Sequence, residues 1–305
     1  MVVAPEQADE RQVALPAASL DPFRRLSLYN SPYPAHDAGC AVDLYPDSND
    51  GISPVSGVVR ETRTVRTPQK PYAVEHDHLV LVDCDAEWCA AAGLDVPVVA
   101  RVLHIEPGVE PGDRVDVGES LGEMVRSGFF APWVDNHVHL GFREEGQNLQ
   151  RASGSLPLSL PFTPTPLAWD GWGTIVETGE TYVVLDSPTH PGGDWCGIGA
   201  DREDGSTSPG VLDGGLPHYD GGGLLGASVD GETQPTGSVS LLGTVVGDRT
   251  GRTVTWRDVE VEIGGERAHG LSLFLAREGP AGAKVVCPGH GFERGERVQT
   301  RIRTR

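Results

Sequence analysis

The chain is poor in aromatics, lysine and cysteine. Aromatics make up 6% of its 305 residues and hydrophobics 38%, so a core must lean on Val, Leu and Ala. Lys70 and Lys284 are the only lysines, and 24 Lys+Arg face 44 Asp+Glu for a net charge of −20. Such a surface repels nucleic acid and anionic membranes, and neither is expected as a partner. Acidity with so little lysine also fits a halophilic source, where salt screens the self-repulsion. No apolar run approaches the roughly 20 residues of a membrane span. The opening MVVAPEQADERQVALPAASL has neither the basic end nor the apolar stretch of a signal peptide, so a cytoplasmic location is expected. Cys40, Cys84, Cys89, Cys196 and Cys287 are odd in number and lack CxxC spacing, which predicts reduced thiols.

Turn-formers are abundant instead: 40 Gly and 24 Pro. They argue against a helical bundle and for short strands joined by tight loops, hence a mainly β protein. Residues 1–27 read as an N-terminal extension. Over 28–145 the runs GCAVDLYP, SGVVRETRTV, DHLVLVD, VVARVLHIE and HVHLGF are strand-length, with one short helix expected around 85–94. Prolines at every few positions make 146–168 a linker or surface strap. Strand patterns return over 169–305, a second β-rich domain, interrupted by a glycine-rich stretch around 191–232 that reads as one long loop. The tail ERVQTRIRTR alternates Val298, Thr300, Ile302 and Thr304 with Gln299, Arg301, Arg303 and Arg305. It predicts an edge strand whose arginines meet the protein's own carboxylates.

The strongest chemical signal is Asn136-His137-Val138-His139-Leu140-Gly141-Phe142. On a strand His137 and His139 share one face over an apolar support, a way to offer a metal one ligand and its neighbour a base, although two surface histidines would look the same. Upstream, His36 precedes a short strand carrying Asp43, followed by SPVSGVV. Between them His104 ends a strand and leads into VEPGDRVDVGESLG.

In this order the residues resemble the lysostaphin-type zinc metallopeptidases of the duplicated hybrid motif superfamily, over roughly residues 28–143. The resemblance implies a barrel-sandwich hybrid domain, with Zn2+ held by His36, Asp43 and His139, and His104 and His137 as the catalytic pair flanking a zinc-bound water that attacks a peptide carbonyl. It further implies a peptide or cell-envelope-like substrate. The sequence departs from the family in one place. The first histidine ordinarily stands four residues before the aspartate, where this chain has Gly39, while His36 stands seven before Asp43 and Asp37 is a possible substitute. The competing reading is a metal-binding scaffold or binding module on the same fold, without the reaction.

Glu75-His76-Asp77-His78 offers His76 and His78 as auxiliary ligands, or else a polar strand entrance, the more economical reading. Gly221-Gly222-Gly223-Leu224-Leu225-Gly226 matches a dinucleotide fingerprint by letters only, having no strand before it and no helix former after. No lysine lies near the GDRVDVGE turn to attach biotin or lipoate. His190, His218, His269 and His290 have no partners in sequence and read as structural.

Overall fold

A computed structural model describes residues 11–203, 208–226, 235–277 and 282–305. The protein is mainly β, with two β domains in tandem. In the first, antiparallel neighbours run in the order Arg25–Ser27, Ala41–Tyr45, Val138–Glu144, Val98–Leu103, His76–Cys84, Gly57–Arg66 and Arg114–Val115. A smaller sheet of Asp50–Ile52, Ser120–Met124 and Ile105–Pro107 lies beside it. The expected helix is present as Ala86–Ala91. Alternation sorts each strand: Val138, Leu140 and Phe142 are fully buried in the core with Val98, Ala100 and Val102. His139 and Arg101 are thereby turned to the opposite face, which becomes the floor of the candidate site.

The two flanking segments are built into the fold. Over residues 11–27 the chain joins the core of the first domain, since Val13, Leu15, Leu20, Phe23 and Leu26 are all at most 1% exposed in it. Val13–Ala14 pairs in parallel with Leu158–Ser159, and Thr165–Leu167 pairs with residues 196–198. The proline-rich stretch is therefore stitched to both domains. Its prolines limit it to short edge pairings without freeing it.

Where the structure describes it, the glycine-rich stretch is not a loop, while 204–207 and 227–232 lie outside the described residues. Cys196–Arg202, Gly210–Leu216 and Gly221–Leu225 are strands, and with Thr253–Trp256, Thr244–Thr250 and Thr236–Leu241 they close a six-stranded barrel. Glycine serves close packing here. A Cβ at Gly222 would stand 2.2 Å from the Trp256 ring, and one at Gly223 would stand 2.3 Å from Tyr29. The tail strand Arg297–Thr304 is paired along its length, with Trp172–Thr178 and then Val259–Ile263. Its arginines do meet carboxylates, as Arg303 does Glu262 at 3.0 Å. None of the five cysteines is in a disulfide, and no described helix is long and apolar enough to cross a membrane.

A histidine and aspartate cluster as candidate metal centre

Three donor atoms converge where strands Ala41–Tyr45 and Val138–Glu144 pair, because His139 is directly opposite Asp43 in the register. His139 Nδ1 is 2.9 Å from Asp43 Oδ1, His36 Nε2 is 3.2 Å from His139 Nδ1, and His36 Nε2 is 3.4 Å from Asp43 Oδ1. His36 closes the gap left by its unusual spacing because Pro34–Asp37 forms one helical turn, Pro34 opening it and Gly39 leaving it at φ +65°. The histidine is 1% exposed and its Nδ1 lies 2.8 Å from the Leu28 carbonyl. A carbonyl only accepts, so that nitrogen carries the proton and Nε2 offers its lone pair to the cluster. Asp37, in contrast, is exposed and does not join the group.

The donor set fits zinc. Two ligands about 2.0–2.1 Å from a tetrahedral zinc stand about 3.4 Å apart, close to the separations here, and two imidazoles with one carboxylate leave a fourth position open. The electrostatics are those of a buried carboxylate surrounded by imidazoles. Burial opposes ionisation of Asp43, but His137 and His36 overcome it and hold its carboxyl well below the usual range. Burial draws His139 down to about 4. Burial also acts on His36, where Asp43 and the Leu28 carbonyl outweigh it and raise the value.

His104 and His137 stand beside the cluster. Their rings are 5.0 Å apart, and Phe130 packs against both. His137 Nδ1 faces the Asp135 carbonyl at 2.9 Å, so its Nε2 is the free lone pair, 3.4 Å from Asp43 Oδ1. His104 adopts φ +74°, a sparsely populated conformation for a residue with a side chain. Its Nδ1 is 2.6 Å from Asp77 Oδ2, which also accepts from the Ser127 hydroxyl at 2.6 Å, while Asp77 Oδ1 accepts from the His78 amide at 2.7 Å. Burial works against the Asp77 charge, yet His104 and Ser127 bring its carboxyl down to about 2.

Asp77 is the member of the Glu75–His78 string that the sequence reading passed over. His76 and His78 lie outside the cluster, and the aspartate between them faces inward. Arg101 and Tyr219, also unanticipated, line the same pocket of about 210 Å³. His190 and His290 are tied to the carbonyls of Ala276 and Gly179. His218 and His269 stack on each other in a separate cleft of the second domain.

The geometry defines a mainly β protein with a buried His/Asp/His cluster opening into a pocket between strand face and loops. Two family models match it: the N-terminal domain of a domain of unknown function, DUF8155, over residues 14–160, and the C-terminal domain of the same family over 165–303. With both domains in tandem, the chain belongs to that family. No curated protein and no solved structure matches it.

Proposed function

We propose that the chain is a zinc-dependent hydrolase of peptide bonds, akin to the lysostaphin-type metallopeptidases and built on the hybrid-motif scaffold. The observation that carries this reading is the convergence of His36 Nε2, Asp43 Oδ1 and His139 Nδ1 on one point beside a second pair of oriented imidazoles. When bound by those three residues, zinc supplies a Lewis acid that polarises a carbonyl and acidifies water. The chain's own groups do the rest. His137, its Nδ1 proton held by the Asp135 carbonyl, presents Nε2 as the proton acceptor. His104 is held at Nδ1 by Asp77, which fixes the ring and leaves Nε2 to face the charge developing on the carbonyl oxygen. Phe130 and Tyr33 line the pocket beside the reacting groups.

The test separates ligands from proton carriers. Purified protein is expected to carry about one zinc per chain, and Asp43→Ala, His139→Ala or His36→Ala to lose it. His104→Ala and His137→Ala are expected to keep the metal while hydrolysis of glycine-rich peptides and cell-wall fragments falls by roughly two to four orders of magnitude. Zinc retained in full by Asp43→Ala and His139→Ala would discard the assignment. Zinc bound with no peptide cut in dilute buffer or molar salt would make the chain a metal-binding module.

A further inference from the structure

Arg101 is out of place in so acidic a protein. It is 4% exposed, and among the described residues no carboxylate lies within ion-pairing distance of it. Its one hydrogen bond runs from Nε to the Leu149 carbonyl at 2.7 Å, which leaves the two terminal nitrogens without a protein partner. The one charge acting on it is another cation, Arg143, whose own guanidinium is held by the carbonyls of Asn148, Arg151 and Ser153. Burial, with Arg143 adding to it, draws Arg101 down to about 10. A buried guanidinium left unpaired is costly, and one held ready in a pocket is a receptor for an anion.

Its position relative to the cluster is fixed by the sheet. Across the antiparallel pair His139 faces Leu103 and Gly141 faces Arg101. Arg101 and His139 are therefore diagonal neighbours on one face, with about 7–8 Å between their backbone positions. Leu79 and Leu103 form the apolar wall beside Arg101, and Gln150 rims the pocket on the Leu149 side. An extended peptide covers ~7–8 Å in about two residues. The planar fork of a guanidinium matches a carboxylate through two parallel hydrogen bonds.

We propose that Arg101 is the specificity-determining residue of this pocket and that the substrate carries a carboxylate within about two residues of the bond at the histidine cluster. The carboxylate has two chemical sources, the free C-terminus of a short peptide or an acidic side chain. This inference rests on the peptide-hydrolase reading for the identity of the ligand, but its readout is binding alone.

The experiment is calorimetric titration of the full chain, with a chelator present so that no metal captures the carboxylate. Three probes are compared: N-acetyl-diglycine, its C-terminal amide, and N-acetyl-aspartyl-glycine amide. At least one acid is expected to bind tenfold or more tightly than the diglycine amide. Preference for the first acid identifies a terminal carboxylate, and preference for the aspartyl probe identifies a side chain. Arg101→Gln is expected to reduce the favoured acid to the level of the amide, and Arg101→Lys, a point charge without the fork, to fall between. The proposal is overturned if acids and amide bind wild-type protein alike, if none binds, or if Arg101→Gln keeps the preference. The wild-type comparison decides alone should that variant fail to fold. Metal analysis of the purified protein before chelator is added keeps the two readings apart, since a chain that takes no zinc yet prefers the acid ends the hydrolase reading and leaves the receptor standing.

Discussion

Asp77 holds both stability and chemistry, and it does so through a side chain only 1% exposed. The pH consequence follows from its depressed value. A carboxyl at about 2 in the folded state against about 3.9 in the unfolded chain contributes stability that is fully present above the higher value and lost as pH falls through the lower one. The contribution is of order 2 kcal/mol. Urea midpoints of wild-type protein should therefore fall between about pH 5 and pH 2, and Asp77→Asn should show a slope shallower by that amount, the other carboxylates being common to both. In activity the same variant should retain zinc and lose roughly 10- to 100-fold, since an outer partner orients an imidazole without touching the metal. Asp77 was legible in principle. Strand alternation puts residues 77, 79 and 81 on one face, and a reading drawn to His76 and His78 looked at the other. The order along the chain singles out His36, Asp43, His104, His137 and His139, and the register sets His139 opposite Asp43.

The turn from Pro34 to Gly39 carries His36 across the seven positions to Asp43, and its geometry depends on one glycine. A Cβ at Gly39 would lie 2.7 Å from the Tyr29 hydroxyl, and Tyr29 is itself held at 3% exposure against Gly223. Gly39→Ala should cost about 1–2 kcal/mol of stability and also weaken zinc binding, because relief of the clash moves the turn that carries His36. Gly93→Ala is the control. Its φ of +74° imposes similar strain, but nothing lies within 4 Å of its Cβ, so thermal stability should drop by about 1 kcal/mol with zinc affinity unchanged. Equal zinc affinity in both variants would show that the turn tolerates displacement. The strands of the first domain were readable because Val and Leu alternate with polar residues. The barrel strands 196–202, 210–216 and 221–225 were not, because glycine has no side chain to alternate and its usual meaning is a turn. Only the partners, Trp256 over Gly222 and Tyr29 over Gly223, reveal why the glycines are there, and those contacts are far apart in sequence.

At the scale of the molecule the second domain acts as the mount of the site. Strand Arg25–Ser27 pairs with Ala41–Tyr45 on one side and with Leu275–Ala276 of the second domain on the other, so one sheet crosses the boundary. Two ionisable side chains of the second domain then reach the groups behind the cluster, Asp213 with its carboxyl pushed up by burial to about 7. Asp213, wholly buried, accepts from the Ser27 hydroxyl, from the Leu28 amide at 2.6 Å and from the Tyr29 amide at 3.2 Å, and the Leu28 carbonyl is the group that orients His36. Lys284, 3% exposed, pairs at 3.0 Å with Asp135, which Arg25 also contacts at 2.6 Å, and the Asp135 carbonyl orients His137. Each link predicts a different loss. Asp213→Ala strands three donors in the interior, which should cost roughly 2–4 kcal/mol and weaken zinc binding about tenfold, measured by competition with a chelator. Lys284→Met keeps the apolar stem and removes the charge, leaving Asp135 to Arg25 alone. Zinc affinity should stay within about twofold while hydrolysis falls about tenfold, because the carbonyl behind His137 loses its anchor and the ligands lose nothing. If Asp213→Ala binds zinc as tightly as wild type, the second domain is a neighbour of the site and not its support.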